Sequence, residues 1–191
     1  MRVQPFIPQL YAWEQGTSRE AFEKTIEAYD ARLIRLLFGH FQWFMGWSLL
    51  SSILSFLLLF QTEGWLWYFF LMHFSWGGIN FLLALILRNH TGHSRFKKGN
   101  LARRFRIQWH IENMFWLNIG LDTCYILAGC LLWSISYHQG QSHPSLFYGF
   151  GLAIVLQGVF LFSIDFLSRW RIYKNGQNLF HVLHGEGGKE M

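Results

Sequence analysis

The chain has 191 residues, of which 52% are hydrophobic, 19% aromatic and only 14% charged. Soluble domains carry about 25% charged residues, so this balance disfavours a water-soluble domain and fits one membrane domain. The net charge of +5 is gathered at the ends of apolar runs, where anionic lipid headgroups lie, which argues for a membrane surface and against nucleic acid.

From the N-terminus, Thr17-Ser-Arg-Glu20 reads as a capping box that opens a helix. Phe22, Ile26, Tyr29, Leu33, Leu36 and His40 then recur at spacings of four and three, an a/d stripe, while Glu20, Glu23, Glu27 and Asp30 occupy the opposite face. This predicts an amphipathic cytoplasmic helix that packs on the rest of the protein, lies at the interface, or pairs with copies of itself. Four long apolar runs follow, at 41–60, 65–87, 114–135 and 146–167. Each supplies the ~20 residues that a helix needs to cross ~30 Å of hydrocarbon. The expected fold is all-α: a polytopic membrane protein with four transmembrane helices as two tandem hairpins. A cytoplasmic segment at 1–39 precedes the bundle at 40–168, and a cytoplasmic tail at 169–191 follows it.

Five basic residues precede the first span, seven lie between the second and third, and four follow the last, which is all 16. The connections Gln61–Gly64 and Ser136–Ser145 hold none, so the positive-inside rule puts both termini and the middle loop in the cytoplasm. The first ~40 residues are polar and hold no apolar core followed by a small-residue cleavage site, so no signal peptide is expected. The expected location is a cytoplasmic (inner) membrane.

The middle loop, Arg88–His110, has no acidic residue. Asn100 can cap a helix that carries Arg103, Arg104 and Arg106 into the third span. With Arg95, Lys97 and Lys98 these are candidates to hold lipid headgroups, or to pair with the acidic N-terminal helix.

Within the spans, polar residues are costly and carry the functional expectation. At ~1.5 Å per residue from the cytoplasmic ends, Asn118 lies ~7 Å deep, Asn80 ~10 Å, Ser48 ~12 Å, Asp122 ~13 Å and Gln157 ~16 Å. The four helices thus contribute to one polar layer, with Asp165 near the boundary and Arg169 one turn on to pair with it. Interhelical hydrogen bonding explains Asn, Gln and Ser. Asp122 needs a proton, a cation or several donors. Two H-x-x-H pairs, His90/His93 and His181/His184, and His110 are weak metal candidates, since nothing else reproduces a ligand pattern. No metal and no cofactor is expected, and His73 has no histidine opposite it for haem. Ser48-x-x-x-Ser52 and Ser51-x-x-x-Ser55, with Gly77, Gly78, Gly149, Gly151 and Gly158, read as close helix packing. Trp43, Trp47, Trp65, Trp67, Trp116 and Trp133 read as interface anchors. Cys124 and Cys130 are ~9 Å apart along a helix axis, too far to bridge, and read as small core residues.

The two hairpins resemble each other. Gly46-Trp-Ser48 aligns with Gly120-Leu-Asp122 at an offset of 74, and Trp76-Gly-Gly78-Ile with Gly149-Phe-Gly151-Leu at 73. Parallel repeats of this kind would bring spans one and three together, with Ser48 facing Asp122.

The strings Trp76-Gly-Gly-Ile-Asn80, Asn118-Ile-Gly-Leu-Asp122-x-x-Tyr125-Ile-x-x-Gly129 and Gly151-x-x-Ile-Val-Leu-Gln157-Gly-x-Phe-Leu-x-x-x-Asp165 resemble an uncharacterised family of small four-span bacterial membrane proteins. The resemblance covers about Phe41–Leu167 and implies a bacterial cytoplasmic membrane and the same four-span plan, but no activity. Three roles are consistent with the residues. The first is a non-enzymatic scaffold, regulatory or accessory module, as a homo-oligomer or a subunit of a membrane complex, in contact with anionic lipids. The second is a proton or cation pore, or a small transporter, using the polar layer. The third is a histidine-metal enzyme acting on lipid or quinone at the cytoplasmic face.

Overall fold

A computed structural model describes residues 19–90, 101–138 and 143–183, with side chains placed for 23–89, 103–138 and 143–179. Four helices make up the described chain: α1 (Arg19–Leu59), α2 (Trp65–His90), α3 (Leu101–Ile135) and α4 (Pro144–Leu183). Each is long and apolar enough to cross a membrane. Their apolar residues point outward: only 17%, 22%, 22% and 33% of the most apolar window of α1 to α4 is buried. An aqueous solvent would drive such side chains inward, whereas lipid makes no such demand.

The α1–α2 connection is five residues long. It turns on Gly64, whose φ of +63° is a left-handed conformation that glycine adopts at no steric cost. Thr62 Oγ1 donates to the Leu58 carbonyl at 3.0 Å and satisfies one of the last acceptors of α1. Pro144 opens α4, where its missing N–H costs nothing. Both of these connections lie at one end, the turn end; the opposite end is called the open end below.

Small residues set the helix pairing. A Cβ on Gly77 would lie 2.9 Å from the Ser48 carbonyl oxygen, so α1 and α2 meet almost backbone to backbone. Gly129 and Gly151 do the same for α3 and α4, and Gly149 lets α4 approach the first turn of α2 at Trp65 and Phe69. Helix α4 therefore packs on α1, α2 and α3 alike, while α2 and α3 make no extensive contact. Ala84 on α2 and Ala153 on α4, both fully buried, belong to the same economy of small side chains.

At the open end α1, α3 and α4 run on past α2 and form a three-helix bundle around Ile26, Tyr29, Leu33, Leu37, Phe41, Phe115, Ile172 and Leu179. This is a conventional apolar core, tied by polar bonds. The Tyr29 hydroxyl donates to Gln108 Oε1. Gln108 Nε2 donates to Glu112 at 2.7 Å and to the Ile172 carbonyl at 3.3 Å. Arg104 Nε reaches both oxygens of Asp30, at 3.1 and 2.9 Å.

Several expectations change here. The stripe runs straight on into the first apolar run, since α1 is unbroken from Arg19 to Leu59. Helix α4 continues past the fourth apolar run to Leu183. Thr17 and Asn100, the expected caps, lie outside the described residues. Spans one and three do not form the centre: α4 does, and Ser48 faces Gly77 rather than Asp122. The repeat also has a different register. Gly77 sits on the Ser48 carbonyl and the Ser52 amide, and Gly158 sits on the Asp122 carbonyl (3.4 Å) and the Ile126 amide (3.3 Å). The offset of 74 holds for the first helices, but Gly158 replaces Phe150 as the counterpart of Gly77, eight residues further on. The longer second connection takes up part of that shift.

Candidate functional site

Because α2 and α3 stand apart, a cleft of about 980 Å³ opens between them. Helix α1 lines it with Leu37, His40, Phe41 and Phe44, and α4 closes its floor with Leu161 and Asp165. Along α3 the lining runs from Arg103 to Tyr125, which is ~33 Å of helix. The lining residues of α3, among them Ile107, Ile111, Met114, Asn118, Leu121 and Asp122, recur every three or four positions as one helix face must. Arg103, Arg106 and His110 stand at the open-end mouth.

The cleft is apolar along its walls and polar at its floor. Asp165 is buried, and its Oδ1 lies 3.5 Å from His40 Nε2; Asn118 lines the same cleft from α3. His40 Nδ1 lies 3.0 Å from Ser168 Oγ, and the ring meets Phe115 edge-on at 5.0 Å. Asp122 lies close enough to Asp165 to sense its charge. Asn80, 4% exposed, and Asp122, 5% exposed, line the cleft from α2 and α3. Asn80 Nδ2 and Asp122 Oδ2 have no hydrogen-bond partner among the described residues. Buried polar atoms without a partner are uncommon, because each forfeits its hydration and gains nothing in return.

Of the residues expected in the polar layer, Ser48, Asn80, Asp122, Gln157 and Asp165 are buried and Asn118 is half-buried, and they divide into separate groups. Ser48 donates to the Phe44 carbonyl of its own helix at 2.7 Å and serves α1–α2 packing. Gln157 accepts a 3.0 Å bond from Trp47 Nε1, whose ring stacks on Phe160 at 4.2 Å. Asp165 and His40 form the second group, with Asn118 lining the same cleft; Asn80 and Asp122 line it from α2 and α3, each with a polar atom that has no partner among the described residues. Arg169 does not pair with Asp165; its guanidinium lies 4.0 Å over the Trp116 ring, and it is His40 that stands beside the carboxylate.

Of the expected headgroup residues, Arg104 is engaged with Asp30, the alternative that the acidic N-terminal helix offered. Arg103 and Arg106 line the cleft mouth, and Arg95, Lys97 and Lys98 lie outside the described residues. The metal candidates divide in the same way. His93 and His184 lie outside the described residues, so neither H-x-x-H pair is described as a pair. His90 and His181 fall in the last turns of α2 and α4, beyond the placed side chains. His110 alone of the five has a described side chain, and it is exposed. Among the described residues no three His, Cys, Asp or Glu side chains are placed to share a metal ion. Cys124 and Cys130 are unpaired as expected, but they sit on the outer surface of α3 rather than in the core. His40 and Trp47 are the site residues that the expected polar layer did not include. The signal for His40 was its position as the last member of the a/d stripe, one residue before the first apolar run.

Comparison with known proteins adds the family. A family of unknown function, DUF6992, matches residues 43–166. The chain belongs to this family. The match takes in all four apolar runs but for their outermost residues and leaves out most of the open-end bundle, in keeping with the resemblance read from the strings of polar residues. No curated protein and no solved structure matches the chain. Membership in DUF6992 therefore places the cleft floor, from Asn80 to Asp165, inside the shared region, and His40 with the mouth of α1 outside it.

Proposed function

We propose that the protein is an integral membrane module that holds a membrane-soluble molecule in the α2–α3 cleft and serves, without chemistry of its own, as a regulatory or accessory subunit. The cleft carries this reading: an apolar-walled space of about 980 Å³ that ends on buried polar side chains. Ligand sites are commonly ~300–1,000 Å³, mostly apolar, with a few convergent polar groups. Four spans with both termini in the cytoplasm are supported by the outward-facing apolar residues and by the absence of Lys and Arg from both turn-end connections. The resemblance to small bacterial membrane proteins supports a bacterial inner membrane. In that placement the mouth lies at the cytoplasmic leaflet, where Arg106 meets anionic headgroups, and the cleft opens sideways into lipid. Assembly as a homo-oligomer or within a larger membrane complex belongs to the same reading, since a subunit without chemistry acts through its neighbours. A pore within one chain is less well supported, because α4 fills the centre of the bundle.

The test is native mass spectrometry of protein gently extracted from its own membrane. A bound amphiphile near one per chain is expected, lost when Ile79→Trp fills the cleft. Wild-type and Ile79→Trp proteins that carry the same molecules in the same amount would sink the proposal.

A further inference from the structure

Resting on that reading, the floor of the cleft specifies the head group of what it holds. Asn80 Nδ2 is a donor on α2 and Asp122 Oδ2 an acceptor on α3; both residues are more than nine-tenths buried, both line the cleft, and neither atom has a partner among the described residues. Asp165 already has His40 beside it, at 3.5 Å. A head group that answers both open atoms must accept one hydrogen bond and donate another. An ether or ester oxygen accepts only, and leaves Asp122 with nothing. A quaternary or primary ammonium donates or attracts only, and sets a positive charge against the Asn80 amide hydrogens. A phosphate or carboxylate would face Asp122 and Asp165 at short range. A hydroxyl is the smallest group that does both.

We propose that the cleft binds a hydroxyl-headed amphiphile, its hydroxyl oxygen accepting from Asn80 Nδ2 and its hydroxyl hydrogen donated to Asp122 Oδ2, with its apolar tail along Phe41, Phe44, Leu83 and Met114. Lipid alcohols and quinols share this chemistry. Selectivity comes from the polar pair, because a buried donor and acceptor left unpaired penalise any tail that lacks the hydroxyl.

The experiment measures binding of three probes with the same farnesyl tail to full-length protein in lipid nanodiscs: farnesol, its methyl ether, and a farnesylated benzoquinol. The expected result is that farnesol, the quinol or both bind at least about tenfold tighter than the ether. Asn80→Leu and Asp122→Leu should each cut that preference below about threefold and leave ether binding unchanged. The tighter of farnesol and quinol then names the source. Equal binding of farnesol, quinol and ether overturns the hydroxyl assignment and leaves the cleft reading standing. Failure of every probe to bind, with Ile79→Trp also without effect on co-purified molecules, overturns both. Should Asp122→Leu not fold, the wild-type ratio and Asn80→Leu still decide.

Discussion

Single side chains in this protein matter according to whether the partner they leave behind can find another. Trp47 shows this most simply. Its indole N–H is the partner of a glutamine that is 2% exposed, and Gln157 Nε2 already lacks one. Trp47→Phe keeps a ring that can stack on Phe160 but strips Gln157 of its remaining interhelical bond. The expected cost is about 0.5–2 kcal/mol, the range for such bonds inside helical membrane bundles. Thermal unfolding in a mild detergent reads it as a lower midpoint. Gln157→Leu removes the unpartnered Nε2 together with the acceptor and leaves only the half-buried Trp47 N–H to find another partner, so it should be milder than Trp47→Phe. Sequence depth alone placed Gln157 correctly in the buried layer. It did not supply Trp47, because an indole near a span end reads first as an interface anchor. Arg169 failed for the converse reason: an i,i+4 carboxylate is the nearest partner on paper, yet Asp165 has His40 beside it on another helix.

At the scale of helices, glycines decide which faces meet. Gly77 and its neighbour Gly78 make a controlled pair. A Cβ on Gly77 meets the Ser48 carbonyl oxygen at 2.9 Å and the Ser52 amide at 3.2 Å, whereas a Cβ on Gly78 finds only Ser52 Oγ at 3.9 Å. Gly77→Ala should therefore force α1 and α2 apart at a cost of about 1–3 kcal/mol. Gly78→Ala should be neutral or stabilising by up to about 1 kcal/mol through helix propensity. Equal unfolding midpoints for the two variants would contradict the backbone-to-backbone contact. The four helices themselves were legible because few structures besides a membrane span use ~20 apolar residues in a row. Their lengths were not, since hydropathy falls away at the interface while the hydrogen-bond ladder continues. The a/d stripe drifted too. Leu37 joins the core while Leu36 is only half-buried, as a straight helix of 3.6 residues per turn departs from a 3.5 repeat.

For the molecule as a whole, the outward apolar surface and the two exposed cysteines of α3 give a direct check on placement. Cys124 and Cys130 are both exposed in the folded chain. In intact membranes a water-soluble maleimide should leave them unmodified, because the proposed third span puts them in hydrocarbon, out of the reagent's reach. Unfolding in SDS should make both reactive. Rapid labelling of either in sealed vesicles would argue against that span. The partnership of helices was the least legible feature at this scale. A weak repeat and two hairpins suggested a symmetric centre made by spans one and three. The residues that make α4 central, Gly149, Gly151 and Gly158, were recognised as packing positions, but their partners are not written in an apolar run.

That centrality has a consequence for how the chain is made. Helix α4 is the last to leave the ribosome, and it is the one that α1, α2 and α3 all share. The α1–α2 hairpin is complete as soon as it is inserted, closed on Gly77. Helix α3 then waits without its main neighbour, carrying Asp122 into the membrane and meeting α1 only through side chains at the open end. The cleft has no floor, and His40 no carboxylate, until the forty residues of α4 arrive. On the proposed function, binding competence is thus withheld from every form that lacks α4, so that an unfinished copy would not compete with a finished one.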